Sequence, residues 1–188
     1  MALGRAHGGV EVWDPRTGSL TPAGHHTGSA PVLALAFSPN GRLVASGGRD
    51  STARIWDTAL QRQTVPALRD EGPVNGVAFD AGGRSLATAS DDGTVRVWSV
   101  RNGGLEAVIA TGAGAARSVI YAGGDGLFVT TALGRVAMYP CELCAIANSD
   151  IQLLRLARRR ITRPMTCQER EAFLHTPCDK AKDRTRPG

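Results

Sequence analysis

Three side chains in the first fifty residues have the types that form a hydrolase catalytic triad, namely His26, Ser46 and Asp50. A catalytic serine needs a sharp turn that exposes its hydroxyl group, with hydrogen-bond donors nearby for the oxyanion. Ser46 instead ends a short segment of small and apolar residues, 43–46, and no Gly-x-Ser-x-Gly motif surrounds it. The sequence therefore favours a structural role for these residues and predicts that the protein is not an enzyme.

Four cysteines are the candidate metal or redox ligands of the sequence. Cys141 and Cys144 form a Cys-x-x-Cys pair, whereas ten residues separate Cys167 from Cys178. Structural zinc sites usually combine two closely spaced pairs, and His175 in place of Cys178 improves the match only slightly. We predict no bound metal and no cofactor, and we keep a zinc- or redox-responsive role of the four cysteines as an alternative.

The glycine-rich residues 112–117 do not have the pattern of a nucleotide site. A dinucleotide-binding loop has a third glycine where Arg117 stands, and a helix follows it. The residues that follow here predict a strand, so we do not expect this segment to bind a nucleotide.

The positive charge of the chain is concentrated at its C-terminal end. Residues 151–188 contain ten basic and four acidic side chains, whereas residues 1–150 contain 12 and 13. No aromatic residues alternate with the basic ones, so nucleic-acid binding through this tail is the weaker alternative. No segment has the ~18–20 continuous apolar residues of a membrane span, and residues 1–13 do not form a secretion signal. We therefore expect a cytoplasmic protein with reduced thiols and no membrane partner.

Aromatic residues recur along the first three quarters of the chain with a nearly constant step. One series follows intervals of 43, 42 and 41 residues, and the other follows intervals of 42. The first series consists of Trp13, Trp56, Trp98 and Tyr139, and the second of Phe37, Phe79 and Tyr121. A period of about 40–45 residues with a Trp-Asp ending is typical of a four-stranded propeller blade.

Each repeat unit predicts four short strands joined by turns. The innermost strands should be buried on both faces, because their segments are short and apolar. They are predicted at residues 32–37, 74–79 and 116–121. Second strands are predicted at 43–46 and 86–88, third strands with one solvated face at 52–56 and 94–98, and fourth strands at 64–68 and 105–110. The first unit has only 12 residues before Trp13, so we expect its innermost strand and part of its second strand to be absent.

Residues 24–57, GHHTGSAPVLALAFSPNGRLVASGGRDSTARIWD, resemble a WD40 repeat. They contain, in family order, the Gly-His pair, the Phe-Ser-Pro-Asn-Gly turn, the loop from Ser to Asp and the closing Trp-Asp. The resemblance covers about residues 1–140. It implies an all-β fold of WD40 β-propeller blades, with about three blades and a partial one in an incomplete ring.

In this family a His, a Ser or Thr, an Asp and a Trp form a hydrogen-bonded chain inside the blade. The resemblance assigns this role to His26 (or His25), Ser46, Asp50 and Trp56. The matching residues of the next blade are Thr88, Asp92 and Trp98, with Asp70 and Glu71 where the His loop should lie. The last blade retains only Thr130 and Tyr139.

The same resemblance implies a non-enzymatic scaffold for protein–protein interactions. Partners of the family usually bind the loops that precede the innermost and third strands. Arg49, Asp91 and Arg69 lie at or near these positions and are the predicted partner-binding residues. The expected partners are other proteins or the rest of the chain's own propeller.

Beyond residue 140 the repeat stops and a helical pattern begins. Apolar residues with helical spacing predict one helix, and residues 166–169 form a capping box for a second. We therefore divide the chain into a propeller segment, residues 1–140, and a helical tail, residues 141–188, which is disordered toward its C-terminus. The tail resembles the segment that ends many bacterial WD40-repeat proteins. The sequence thus predicts the C-terminal part of a larger bacterial signalling or regulatory protein.

Overall fold

The computed structural model describes residues 1–122 and 126–140. These residues form 15 strands in four antiparallel sheets, and a 3-10 turn at Thr27–Ser29 is the only helical element among them. The all-β prediction is confirmed for this part of the chain. The predicted helical tail, with the four cysteines and His175, lies outside the described residues.

Each sheet is built from strands that follow one another along the chain. The first sheet contains β1 (Ala2–Gly4), β2 (Gly9–Trp13) and β3 (Leu20–His25). The second contains β4 (Val32–Phe37), β5 (Leu43–Gly48), β6 (Thr52–Asp57), β7 (Arg62–Gln63) and β8 (Leu68–Arg69). The third contains β9 (Val74–Phe79), β10 (Ser85–Ser90), β11 (Thr94–Ser99) and β12 (Leu105–Ala110). The fourth contains β13 (Ala116–Ala122), β14 (Gly126–Thr131) and β15 (Val136–Pro140).

The first sheet lacks an innermost strand, as the sequence predicts. Its β2 contains Trp13 at the place that Trp56 has in β6, so β1, β2 and β3 correspond to the second, third and fourth strands of a blade. The turn from β4 to β5 closes with Gly41 and the turn from β9 to β10 with Gly83, both at positive φ. Glycine adopts this conformation without steric cost, which favours pairing between consecutive strands.

The sheets pack face to face in chain order. The inner strand β9 lies against β4 on one side and against β13 on the other. One apolar core lies between the second and third sheets and contains Ile55, Leu86 and Trp98. A second core lies between the third and fourth sheets, and a third core joins Val10 of the first sheet to Trp56 of the second. Burial of apolar surface between neighbouring sheets is therefore the main stabilising contribution to this arrangement.

The predicted burial of the innermost strands is confirmed only for β9. In β4 the side chains of Leu33 and Phe37 are exposed, and in β13 Ile120 is exposed. An inner strand is covered on both faces only when complete sheets flank it. Strand β4 borders the first sheet, which has no innermost strand, and no sheet follows β13 within the described residues.

Two further strand predictions were wrong. The predicted solvated face of β11 is closed, because Arg96 is buried in an ion-paired network. A single fourth strand at 64–68 is also wrong, since β7 and β8 lie on either side of Pro66. Proline has no N–H group for the strand ladder and therefore interrupts pairing. The fourth strand predicted at 105–110 is confirmed as β12.

Candidate functional site

The triad-type residues of the second sheet form one continuous chain of hydrogen bonds. The indole Nε1–H of Trp56 donates to Ser46 Oγ over 2.8 Å. Ser46 Oγ lies 2.8 Å from His26 Nε2, and His26 Nδ1 lies 3.0 Å from Asp50 Oδ1. Strands β5 and β6 supply Ser46 and Trp56, the turn between them supplies Asp50, and the connection from β3 to β4 supplies His26.

The donors and acceptors in this row of hydrogen bonds determine the tautomer of His26. A carboxylate only accepts hydrogen bonds, so Nδ1 of His26 carries the proton and donates it to Asp50. The other ring nitrogen, Nε2, then accepts from the hydroxyl group of Ser46, which in turn accepts from Trp56. Burial lowers the pKa of His26, although Asp50 opposes this shift, and the imidazole is therefore neutral near pH 7.

Asp50 is the anchor of this chain. Its Oδ1 accepts from the Thr52 hydroxyl over 2.7 Å and from the Thr52 amide over 3.2 Å, and its Oδ2 accepts from the Thr27 amide over 3.1 Å. Burial raises the pKa of this carboxyl, but the hydrogen bonds from Thr52 and His26 outweigh burial and lower the pKa overall. Asp50 therefore holds both its own turn and the preceding histidine loop.

The geometry argues against nucleophilic catalysis by Ser46. Its hydroxyl group is fully buried and is used twice, as donor to His26 and as acceptor from Trp56. A nucleophile needs an exposed oxygen and room for a substrate beside it. His25, the alternative to His26, is exposed, and its Nδ1 lies 2.8 Å from the carbonyl oxygen of His26. The structure thus places His26, rather than His25, in the chain.

Two glycines, which the sequence analysis did not single out, leave room for the hydrogen-bonded chain to form. A Cβ atom on Gly24 would lie 1.9 Å from the ring of Trp56. A Cβ atom on Gly48 would lie 2.3 Å from His26 Nδ1. Both distances are far below van der Waals contact, so the rings of Trp56 and His26 pack directly on glycine backbone. The Gly-His pair and the Ser-Gly-Gly segment of the repeat were the available signals.

The third sheet replaces the histidine with a buried ion pair. Trp98 Nε1–H donates to Thr88 Oγ1 over 3.0 Å, and the Thr88 hydroxyl lies 3.3 Å from Asp70 Oδ1. The guanidinium of Arg96 donates to Asp70 Oδ1 over 2.8 Å and also donates to Asp92. Arg96 therefore bridges the two carboxylates, as His26 connects Ser46 to Asp50 in the second sheet.

The buried position of Asp70 has an electrostatic consequence. Its side chain is fully buried, and burial raises its pKa against the opposing hydrogen bonds from Arg96 and Thr88. Arg96 has its pKa raised by the two carboxylates, which outweigh the effect of its own burial. Sequence reasoning found Asp70 in place of the histidine but missed Arg96. The signal was Arg54, which occupies the same place 42 residues earlier.

In the fourth sheet, the two residues that the resemblance assigns to the hydrogen-bonded chain, Thr130 and Tyr139, are not bonded to each other. The hydroxyl of Tyr139 donates to the carbonyl oxygen of Thr111 over 3.3 Å, and Thr130 lies on the other face of the sheet. Leu127 pairs with Tyr139 as Leu86 pairs with Trp98, which puts Val129 at the place of Thr88. The assignment of Thr130 was therefore wrong by one residue.

The cause of this error is a shorter turn. Six residues lie between the paired residues Phe79 and Leu86, whereas five lie between Tyr121 and Leu127. A shift of one residue moves every side chain of a strand to the opposite face. Val129 cannot accept a hydrogen bond, so the fourth sheet has no internal chain of the type found in the second sheet.

The three predicted partner-binding residues have different surroundings. Arg49 and Asp91 occupy equivalent turns, since their amides donate to the carbonyls of Pro31 and Pro73, each over 2.9 Å. Both side chains are exposed, and so is that of Arg69 at the end of β8. Within the described residues, Arg49 and Arg69 form no ion pair. The loops that precede the innermost and third strands form a rim, on which Arg49 and Arg69 lie.

Asp91 is engaged inside the protein. Its Oδ1 accepts from Asn75 Nδ2 over 2.7 Å and from Arg117 Nη1 over 2.9 Å. Asn75 also donates to the carbonyl oxygen of Ala116 over 3.0 Å. Asp91 thus connects the third sheet to the start of the fourth, a role that the sequence did not predict.

The described part of the chain supports neither a metal site nor a membrane-spanning helix. No group of three or more His, Cys, Asp or Glu side chains in residues 1–122 and 126–140 is arranged to bind a metal ion. The candidate cysteine ligands lie outside these ranges. No helix among the described residues is long and apolar enough to cross a membrane.

Four successive antiparallel sheets, with a Trp–hydroxyl bond in the second and third, are consistent with propeller blades of the WD40 type. The family model for the WD domain, G-beta repeat, matches residues 17–57 and 63–99. These two segments are thus similar to WD40 repeats. WD40-repeat proteins generally mediate protein–protein interactions and are generally not enzymes.

The similar proteins match only short stretches. The chain is 42% identical over 62 residues to a periodic tryptophan protein 2 homolog of Neurospora crassa, covering 32% of this chain and 7% of that protein. It is 37% identical over 68 residues to WD repeat-containing protein SL1-17 of Schistosoma mansoni, covering 36% and 22%. It is 37% identical over 71 residues to nuclear distribution protein PAC1 of Arthroderma benhamiae, covering 37% and 15%. The chain thus spans less than a quarter of the length of these relatives, all of which are eukaryotic.

Two solved structures show the same fold. The computationally designed Ika4 protein matches with a TM-score of 0.63 and 24% identity, covering 74% of this chain and 83% of the designed one. The designed Ika8 protein matches with the same TM-score and identity, covering 74% of this chain and 42% of its own. At this identity the likeness supports the arrangement of the sheets alone.

Proposed function

We propose that this chain is a non-enzymatic scaffold that binds protein partners through the loop rim before its innermost and third strands. The observation that carries the proposal is the division of polar groups. The polar groups that could do chemistry are buried and hydrogen-bonded to one another inside the sheets, whereas the side chains of Arg49 and Arg69 are exposed to solvent. Exposed guanidinium groups bind carboxylates with two parallel hydrogen bonds, so an acidic segment of a partner is the ligand that this rim fits.

Several finer features stay predictions from the sequence. They are a bacterial origin, a place in the C-terminal part of a larger signalling or regulatory protein, and a cytoplasmic location. The resemblance of the tail supports the first two.

Reversing the charge of both Arg49 and Arg69 should strongly weaken partner capture. We expect the double variant Arg49→Glu, Arg69→Glu to retain a native partner at least about tenfold less than the unchanged chain, because charge reversal repels an acidic segment. Capture from lysate of the native cell by immobilised full-length chain, with quantification of each retained protein, measures the effect.

The matched control is Arg101→Glu. Arg101 is an exposed arginine in the turn between β11 and β12, away from the turns of the proposed rim. Its substitution should leave capture unchanged. Equal loss in the control and the double variant, or equal capture by all three proteins, would contradict the proposed rim.

A further inference from the structure

A row of apolar side chains crosses the fourth sheet on its open face. Ile120 pairs with Phe128, and Phe128 pairs with Met138. Ile120 is 57% exposed and Met138 61% exposed, and Val136 on the same face is 68% exposed. The opposite face of this sheet is buried against the third sheet. Such a concentration of exposed apolar groups on one sheet face is typical of an interface.

The two preceding sheets have the same row, and there it is buried. In the second sheet it consists of Ala36, Ala45 and Ile55, which pack against the third sheet. In the third sheet it consists of Ala78, Ala87 and Val97, which pack against the fourth. The exposed row of the fourth sheet therefore repeats an interface that the chain has already formed twice, and its partner sheet is not among the described residues.

The first sheet presents the complementary face. Trp13 exchanges backbone hydrogen bonds with Met1, and Leu3 lies on the same side of β1 as Met1. This side points away from the second sheet, toward which Ala2 packs. In the third sheet the corresponding face, which contains Trp98, packs on the preceding sheet. Among the described residues, one face of each kind is thus without a partner sheet, one on the first sheet and one on the fourth.

We infer that two copies of this chain associate head to tail, with the fourth sheet of one copy packed against the first sheet of the other. Head-to-tail contacts either close into a ring or continue into a fibre. The described residues of two copies supply eight sheets. This number is within the roughly four to eight blades of known propellers, so two such contacts are able to close a ring. This association does not involve the partner-binding rim and is independent of the proposed function.

The mass of the full chain in solution tests the association directly. Sedimentation velocity should give twice the 19.7 kDa of one chain. The variant Met138→Glu should weaken the dimer at least about 100-fold, because it buries a charge at the apolar contact. Val136→Glu on the same face should act alike and serves as the second variant. The control Val108→Glu, at a 52% exposed site on β12, should leave the dimer intact.

A mixing experiment identifies the two faces. Leu3→Glu alters the first sheet and should also give monomers, because each contact uses one first sheet and one fourth sheet. An equimolar mixture of Leu3→Glu and Met138→Glu should form dimers again, since the intact fourth sheet of one variant meets the intact first sheet of the other. A dimer that Leu3→Glu does not weaken, or a mixture that stays monomeric, would overturn the inference. A monomeric unsubstituted chain would overturn it as well. The same holds if residues 141–188 keep the chain monomeric by covering the open face of the fourth sheet.

Discussion

Replacing Asp70 with alanine is expected to lower the free energy of unfolding by about 3–5 kcal/mol, as for removal of one partner from a buried ion pair. The side chain of Asp70 is fully buried and accepts hydrogen bonds from Arg96 and Thr88. Without it, the guanidinium of Arg96 remains buried with Asp92 and the largely exposed Glu71 for compensation, and the Thr88 hydroxyl loses its acceptor. Urea unfolding followed by tryptophan fluorescence measures the change in stability.

Two further variants show whether the buried charge is the cause. Glu71→Ala changes the neighbouring carboxylate, whose side chain is 84% exposed, and should alter stability by less than about 0.5 kcal/mol. Adding Arg96→Met to Asp70→Ala should restore most of the loss, because an apolar side chain no longer needs a carboxylate. If Asp70→Ala and Glu71→Ala have equal small effects, the ion pair does not stabilise the third sheet.

Replacing Gly24 with alanine is expected to cost roughly 2–4 kcal/mol, from overpacking together with a broken buried hydrogen bond. The added Cβ would lie 1.9 Å from the ring of Trp56, so the indole must move. Movement of the ring separates Nε1–H from Ser46 Oγ and leaves both groups buried without their present partner. The midpoint of urea unfolding should therefore fall, and the near-ultraviolet circular dichroism of tryptophan should change.

Gly126→Ala is the matched control for this prediction. A Cβ atom at Gly126 would meet its nearest neighbour, Met138, at 3.9 Å, which is ordinary van der Waals contact. We expect its effect on stability to stay within about 1 kcal/mol. Equal losses at Gly24 and Gly126 would show that the close approach of Trp56 does not determine the requirement for glycine.

The sequence predicted the strands well because their periodicity is local. Apolar segments such as Val74–Phe79 and turn residues such as Gly83 specify strand and turn without any knowledge of their neighbours. Burial was predicted less well, because it depends on the flanking sheets. Leu33 and Phe37 have the same pattern as the buried β9 but are exposed in β4.

The errors in the site have a similar origin. Arg96 lies at a position where an alternating pattern predicts solvent, and only the spatial arrangement of Asp70 and Asp92 explains its burial. Thr130 matched Thr88 by spacing along the chain, but a turn shorter by one residue moved it to the other face. Register and charge pairing are properties of several strands together, so one strand read alone does not reveal them.

Exchange of the indole N–H protons, measured by NMR on the Met138→Glu variant so that the first sheet is not covered by a second copy, tests most directly whether hydrogen-bonded chains support the second and third sheets. The indoles of Trp56 and Trp98 donate to buried hydroxyls, whereas Trp13 lies on the open face of the first sheet. We expect the first two protons to exchange at least about 100-fold more slowly than that of Trp13, since exchange then requires the sheet to open. If the indole protons of Trp56 and Trp98 exchange as rapidly as that of an exposed indole, the hydrogen-bonded chains do not support the second and third sheets.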